Sequence, residues 1–177
     1  LRRQVLRKWR KPLIVMTPKS LLRHKRATSS VQAFTQGRFH RVIPEAHLDS
    51  IDAVTRLVLC SGKVYYDLLE RREETGDQTT AIARLEQLYP LPVSEIMDLV
   101  DSLPGLEEVI WCQEEPQNMG AYTYLHPYFT RMFADGLVLR WVCREESASP
   151  ATGSSRAHKL EQADLVSRVL GAVQSQD

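Results

Sequence analysis

Leu57-Val58-Leu59-Cys60-Ser61-Gly62 is an unbroken apolar run closed by a Ser-Gly pair, and its form decides the fold class. A strand with one wet face alternates apolar and polar residues, whereas a strand covered on both faces, as in a parallel sheet, reads as a continuous run. Ser61-Gly62 supplies a tight turn and a helix start, and a helix is expected over residues 63–74. The same alternation continues to the end of the chain. Ala81-Ile82-Ala83-Arg84-Leu85 reads as a second strand, and beyond Pro92 the residues Val93, Ile96, Met97 and Val100 fall at i, i+3, i+4 and i+7, one core-facing helical stripe. Val109-Ile110-Trp111-Cys112 is a third strand; after Pro116, Tyr122, Leu125, Phe129, Met132 and Phe133 share a helical face that Pro127 should kink or restart. Leu137-Val138-Leu139-Arg140-Trp141-Val142 is a fourth strand, followed by a Ser/Ala/Pro/Gly-rich loop over residues 147–155. A final helix over residues 158–173 should turn Ala163, Val166, Val169, Leu170 and Val173 inward. Strand-like runs alternating with helical patterns predict an α/β fold, a three-layer, mostly parallel sheet with crossover helices.

Upstream of Thr55 the pattern is looser. Residues 1–11 are basic and compatible with a helix that Pro12 stops, and Leu13-Ile14-Val15-Met16 reads as a buried strand. Pro18 opens a short helical turn over residues 19–24, and residues 27–49 form an irregular connection with a short strand near Val42. The chain opens without a methionine, in what reads as the middle of a helix, and is expected to be part of something longer.

With 177 residues, 23 Lys plus Arg and 22 Asp plus Glu, the chain is long enough to bury an apolar core, and its net charge of +1 gives no whole-molecule attraction to nucleic acid or to an anionic membrane. No apolar run approaches the roughly 20 residues that span a bilayer. Cys60, Cys112 and Cys143 each lie in or beside an apolar segment without C-x-x-C or Cys/His zinc-ligand spacing, so they read as reduced core thiols, which points to the cytoplasm or the mitochondrial matrix.

Several catalytic patterns are absent. Ser61-Gly62-Lys63 has no upstream glycine at P-loop spacing and is followed by Val64, and no G-x-G-x-x-G, G-x-S-x-G or H-E-x-x-H occurs. His24, His40, His47, His126 and His158 are scattered over different elements, which favours surface or satisfied-core positions over a site. Glu114-Glu115-Pro116 follows a strand's carboxyl end, where open parallel sheets place ligand groups. Paired carboxylates there could serve acid/base chemistry, although neutralising a helix amino end is the commoner use. Lys19-Ser20-Leu21-Leu22-Arg23-His24-Lys25-Arg26 holds four fixed cations in eight residues, a local anion site or a solvated basic face.

Six blocks carry a further resemblance: Leu1-Arg2-Arg3-Gln4; Lys11-Pro12-Leu13-Ile14-Val15-Met16-Thr17-Pro18-Lys19-Ser20-Leu21-Leu22-Arg23-His24; Cys60-Ser61-Gly62-Lys63-Val64-Tyr65-Tyr66-Asp67-Leu68; Glu86-Gln87-Leu88-Tyr89-Pro90; Trp111-Cys112-Gln113-Glu114-Glu115-Pro116-Gln117-Asn118; and Ser149-Pro150-Ala151-Thr152-Gly153 with His158. In order and spacing they resemble the C-terminal region of the 2-oxoglutarate dehydrogenase first component, with the 2-oxoadipate-type homologue as the nearest confuser. The resemblance implies a fold like the transketolase C-terminal domain. It divides the chain into residues 1–16, the end of a preceding pyrimidine-binding domain; 17–54, a connection; and 55–177, the C-terminal α/β domain.

It also implies, for a full-length protein, thiamine diphosphate and Mg2+ as cofactors, oxidative decarboxylation of 2-oxoglutarate, and transfer of the succinyl unit to a lipoyl arm of the dihydrolipoyl succinyltransferase. The family's G-D-G diphosphate motif and its cofactor-activating glutamate have no counterpart here, so no catalytic or cofactor-binding residue is carried over, and the segment alone is expected to be inactive. Its expected roles are packing with the remaining domains and across a homodimer, and an effector site for AMP or acetyl-coenzyme A at Lys19 and Arg23, which an α-helical turn would place on one face. An autonomous binding or assembly module stays open as the other reading.

Overall fold

The computed structural model describes residues 2–171 other than 46, 47, 49 and 135, so His47 and Val173 lie outside the described residues. The chain divides into two compact units, residues 1–37 and 38–177.

The first unit contains α1 (Arg2–Leu6), a 3-10 turn (Lys19–Arg23) and α2 (Val31–Thr35). The side chain of Ser30 caps α2 by accepting from the Ala33 N–H at 3.3 Å. The strand expected at Leu13-Ile14-Val15-Met16 does not form, and Ile14 is 83% and Met16 90% exposed. A strand exists only within a ladder that satisfies its backbone, and among the described residues no segment of this unit pairs with it. The helix expected over residues 1–11 shrinks to α1, because a stretch without a buried face has little besides propensity to hold it.

The second unit is an α/β fold around a five-stranded sheet: β1 (Val42–Ile43), β2 (Arg56–Cys60), β3 (Thr80–Leu85), β4 (Glu108–Pro116) and β5 (Val138–Arg144), in the order β1-β3-β2-β4-β5. β1 runs antiparallel to β3 and the other pairs are parallel. Alternate residues of the apolar runs face opposite sides, as the two-residue strand period requires. Leu57, Leu59, Val109 and Trp111 pack with Ile96, Leu125 and Phe129 from α4 (Val93–Asp101) and α5 (Tyr122–Met132). Val58, Cys60, Ile110 and Cys112 pack on the other face with Leu68, Leu165 and Val169 from α3 (Val64–Thr75) and α6 (Ser155–Leu170). The three-layer, mostly parallel α/β arrangement expected from the sequence is therefore present. Each fully buried Leu, Ile or Val contributes about 1.5–3 kcal/mol, which is why continuous runs rather than turn signals fix this architecture.

Details differ from expectation where the core stripe is offset. Val93 is 40% exposed because the stripe of α4 begins at Ile96 and ends at Leu103 beyond the helix. Val166, Val169 and Leu170 of α6 are buried as expected, with Leu165 beside them and Ala163 exposed; the helix starts three residues earlier than expected, capped by Ser154, which accepts from Ala157 N–H at 3.3 Å. α5 runs through Pro127 without ending there.

Candidate functional site

β2 connects through α3 to β3 on one side of it, and β3 then connects through α4 to β4 on the other side, so the winding reverses between β2 and β4. Open α/β sheets bind ligands at the carboxyl ends of the two strands flanking such a reversal. Here those ends are Cys60-Ser61-Gly62-Lys63 and Gln113-Glu114-Glu115-Pro116. Gly62 has φ +79°, a left-handed turn that glycine adopts freely, and it drops the chain into α3 with Lys63 at the helix start.

Lys63 Nζ lies 3.1 Å from Glu114 Oε1 and 3.0 Å from Asp67 Oδ2. Burial alone would lower the Lys63 pKa, but Glu114 and Asp67 outweigh it and the net shift is upward. Lys63 is a fixed cation, unsuited to act as a base or a carbonyl-trapping amine. From Asp67 the polar chain continues: Gln162 Nε2 donates to Asp67 Oδ2 at 2.6 Å, and Gln162 Oε1 accepts from Arg144 Nη2 at 2.7 Å. Arg144, its side chain 11% exposed at the carboxyl end of β5, also pairs with Glu161 at 3.1 Å and meets His158 Nδ1 at 3.2 Å. The chain of contacts thus links the carboxyl ends of β2, β4 and β5 to α3 and α6.

Two loops above this edge are held rigidly. Gln113 is buried at 2% exposure; its amide nitrogen donates to the carbonyls of Met119 at 2.8 Å and Pro116 at 3.1 Å, while its oxygen accepts from Trp111 Nε1 at 3.0 Å and Tyr122 N at 2.9 Å. Gly120, at φ +65°, closes this loop, and a Cβ there would meet Gln113 Nε2 at 2.9 Å. Asn118 exchanges two hydrogen bonds with the Ser147 backbone, at 3.0 and 3.2 Å, tying the loop to residues 145–154. Beneath that second loop, against α6, lies a cavity of about 760 Å³ lined by Pro116, Arg144, Glu146, Thr152, Asp164 and Arg168 among others.

The sequence-level candidates fare unequally. Glu114 is committed to Lys63, and Glu115 points away into the exposed loop, so the two carboxylates do not form an acid/base pair. His126 stacks on Trp141 with ring centroids 5.0 Å apart, a packing role, and of the described histidines His158 alone joins the polar chain. All three cysteines are free and buried; burial pushes the Cys60 thiol up to about 12, Cys143 up to about 11, and Cys112 well above its ordinary value. Arg144 and Gln162 were not singled out by sequence, and Gln113 entered only as part of the block over residues 111–118, with no role of its own. Lys19 and Arg23 are both exposed in the first unit, which holds ten Lys plus Arg and no Asp or Glu. Their turn is 3-10, not α, so they stand about 120° apart around its axis, and one anion is reached by both only through their flexible stems.

Thiamine diphosphate and Mg2+ find no fit at the sheet edge. Among the described residues no group of three or more His, Cys, Asp or Glu could hold a metal ion, and the cations Lys63 and Arg144 are each already matched by carboxylates. No helix among the described residues is long and apolar enough to cross a membrane.

What these features define is an open, doubly wound α/β domain with a linked polar network at the carboxyl ends of its parallel strands. Residues 28–170 match the family model described as 2-oxoglutarate dehydrogenase C-terminal. The chain is 48% identical over 172 residues to the 2-oxoglutarate dehydrogenase E1 component of Azotobacter vinelandii, covering 94% of this chain and 18% of the relative. Proteins of the same name from Cupriavidus necator and Bacillus subtilis (strain 168) are each 44% identical, again covering 94% of this chain and 18% of theirs. The chain belongs to the 2-oxoglutarate dehydrogenase C-terminal family, and it spans less than a fifth of the length of these relatives.

Proposed function

We propose that the chain is the C-terminal part of a thiamine-diphosphate-dependent 2-oxoglutarate dehydrogenase first component, supplying packing and regulation while other parts of the full-length protein hold the cofactor. In this reading residues 1–16 complete a preceding pyrimidine-binding domain, residues 17–54 connect, and residues 55–177 are the C-terminal domain. The exposed apolar run Leu13-Ile14-Val15-Met16 supports the first assignment, since a strand-forming segment gains its ladder from neighbouring strands. The full-length protein works as a homodimer, passes the succinyl group to the dihydrolipoyl succinyltransferase, and resides where thiols stay reduced. AMP or acetyl-coenzyme A acts through the acid-free basic unit, with Lys19 and Arg23 contacting phosphate.

The observation that carries the reading is a family match over most of the chain, joined to a sheet edge whose cations are already neutralised. Calorimetry with thiamine diphosphate and Mg2+ tests it. This chain alone is expected to give no binding heat and no decarboxylation, and the full-length protein both; micromolar cofactor binding by the chain alone would overturn the division of labour.

A further inference from the structure

The cavity beside α6 carries more negative charge than its own arginines neutralise. Four carboxylates line it, Glu145 and Glu146 just past the end of β5 and Glu161 and Asp164 on α6, against two guanidiniums, Arg144 and Arg168. Both cations are already engaged. Arg144 pairs with Glu161 at 3.1 Å, donates to Gln162 Oε1 at 2.7 Å and meets His158 Nδ1 at 3.2 Å. Arg168 donates to the Cys143 carbonyl at 2.9 Å and lies 3.7 Å from Asp164 Oδ2. With each arginine set against one carboxylate, Glu145 and Glu146 have no hydrogen-bond or ion-pair partner among the described residues, and the lining keeps two negative charges in excess.

That excess decides the sign of a ligand, and the spread of the charge decides its shape. An inorganic cation needs several oxygens converging on one point, and among the described residues no three carboxylates do so. The acids instead stand on two walls, the loop on one side and α6 on the other. Between them the lining is apolar: Leu160, 65% exposed on α6, with Pro150 and Ala151 from the loop. At about 760 Å³ the cavity falls within the roughly 300–1,000 Å³ of small-molecule sites. We propose that it binds a linear aliphatic polyamine, with ammonium groups against Glu145, Glu146 and Asp164 and methylene groups over Leu160, Pro150 and Ala151. An alkylammonium, like a lysine side chain, stays protonated at neutral pH, and each one set against a carboxylate forms a charge-assisted hydrogen bond. The methylene stretches gain by covering apolar surface that water otherwise wets. The loop is tied in advance, Ser147 to Asn118 and Thr152 to Glu161, so binding has little chain left to order.

Titration calorimetry of spermidine into the full-length protein at low salt, where exposed charges are least screened, tests the site. One spermidine is expected to bind per chain, and Glu145→Gln/Glu146→Gln, which alters only exposed side chains, is expected to weaken it about ten-fold. Leu160→Asn leaves the charge alone and is expected to weaken it about three-fold through the lost methylene contact. Absence of saturable binding, an affinity unchanged in the double variant, or tighter binding of Mg2+ than of spermidine overturns the polyamine site. An affinity unchanged in Leu160→Asn overturns the placement of the methylene groups.

Discussion

Replacing Gln113 by leucine keeps the volume of the side chain and deletes its hydrogen bonds. Five partners then lose their match: Trp111 Nε1 and Tyr122 N–H as donors, and the carbonyls of Glu115, Pro116 and Met119 as acceptors. Trp111 is fully buried, so its indole N–H has no route to water, whereas Met119 is half-buried and its carbonyl can be rehydrated. Each buried unsatisfied group costs about 1–3 kcal/mol, which places Gln113→Leu at about 3–5 kcal/mol after allowing for rehydration at the loop. Against a total of about 5–15 kcal/mol this is a large share of the stability. Urea denaturation followed by tryptophan fluorescence measures it, with the slope checked for two-state behaviour. Adding Trp111→Phe, which removes one of the stranded donors, should recover about 1 kcal/mol of the loss in a double-mutant cycle. A Gln113→Leu midpoint within about 1 kcal/mol of wild type would refute the view that this side chain organises the loop over the strand ends.

Glu45 and Arg72 form a buried ion pair in which Glu45 also accepts from Ile82 N–H at 3.0 Å and Arg72 donates to the Thr80 carbonyl at 3.3 Å, so Glu45→Ala should cost about 3–5 kcal/mol, seen as a lower urea midpoint. With their thiol pKa values raised by burial, Cys60, Cys112 and Cys143 should resist an aromatic disulfide reagent in the native protein, and all three should react once it is denatured. At Asp77, burial pushes the carboxyl up, but hydrogen bonds from the Thr79 N–H at 2.8 Å and the Thr79 hydroxyl at 2.7 Å, with the nearby Arg56 charge, help to hold the pKa below its ordinary value, so its stabilisation is present above that value and is lost as pH falls through the depressed one. Asp77→Asn should therefore flatten the acid end of the stability profile, by about 0.5 kcal/mol given how exposed the group is, in urea midpoints taken between about pH 5 and about pH 3.

The sheet was legible because burial on both faces leaves apolar runs, and the three inner strands β2, β3 and β4 each carry one, whereas the run of edge strand β5 is broken by Arg140. Residues that turn inward on helices were less so. Val166, Val169 and Leu170 turn inward as their spacing implies, whereas Ala163 lies outside the buried stripe and Leu165 inside it. Leu13-Ile14-Val15-Met16 has strand composition, yet composition cannot supply a neighbouring ladder. At the site, Gly62 and Lys63 could be placed from the turn they form, whereas the partners of Lys63 come from residues 67 and 114, brought together only by the crossover. Arg144, Gln162 and His158 belong to the same case: their alignment depends on the register of β5 against α6, and nothing local in the sequence marks it. The pairing of Lys19 with Arg23 rested on an α-helical spacing that a 3-10 turn replaces.

Carbon dioxide release by the full-length protein, assayed with its cofactors and supplied in parallel with 2-oxoglutarate and 2-oxoadipate, tests the central assignment most directly. Turnover of 2-oxoglutarate at a higher kcat/KM than 2-oxoadipate, with succinyl transfer to the lipoyl arm and none from this chain alone, is the expected result. Preference for 2-oxoadipate, or no decarboxylation of either acid by a folded, cofactor-loaded protein, would contradict it.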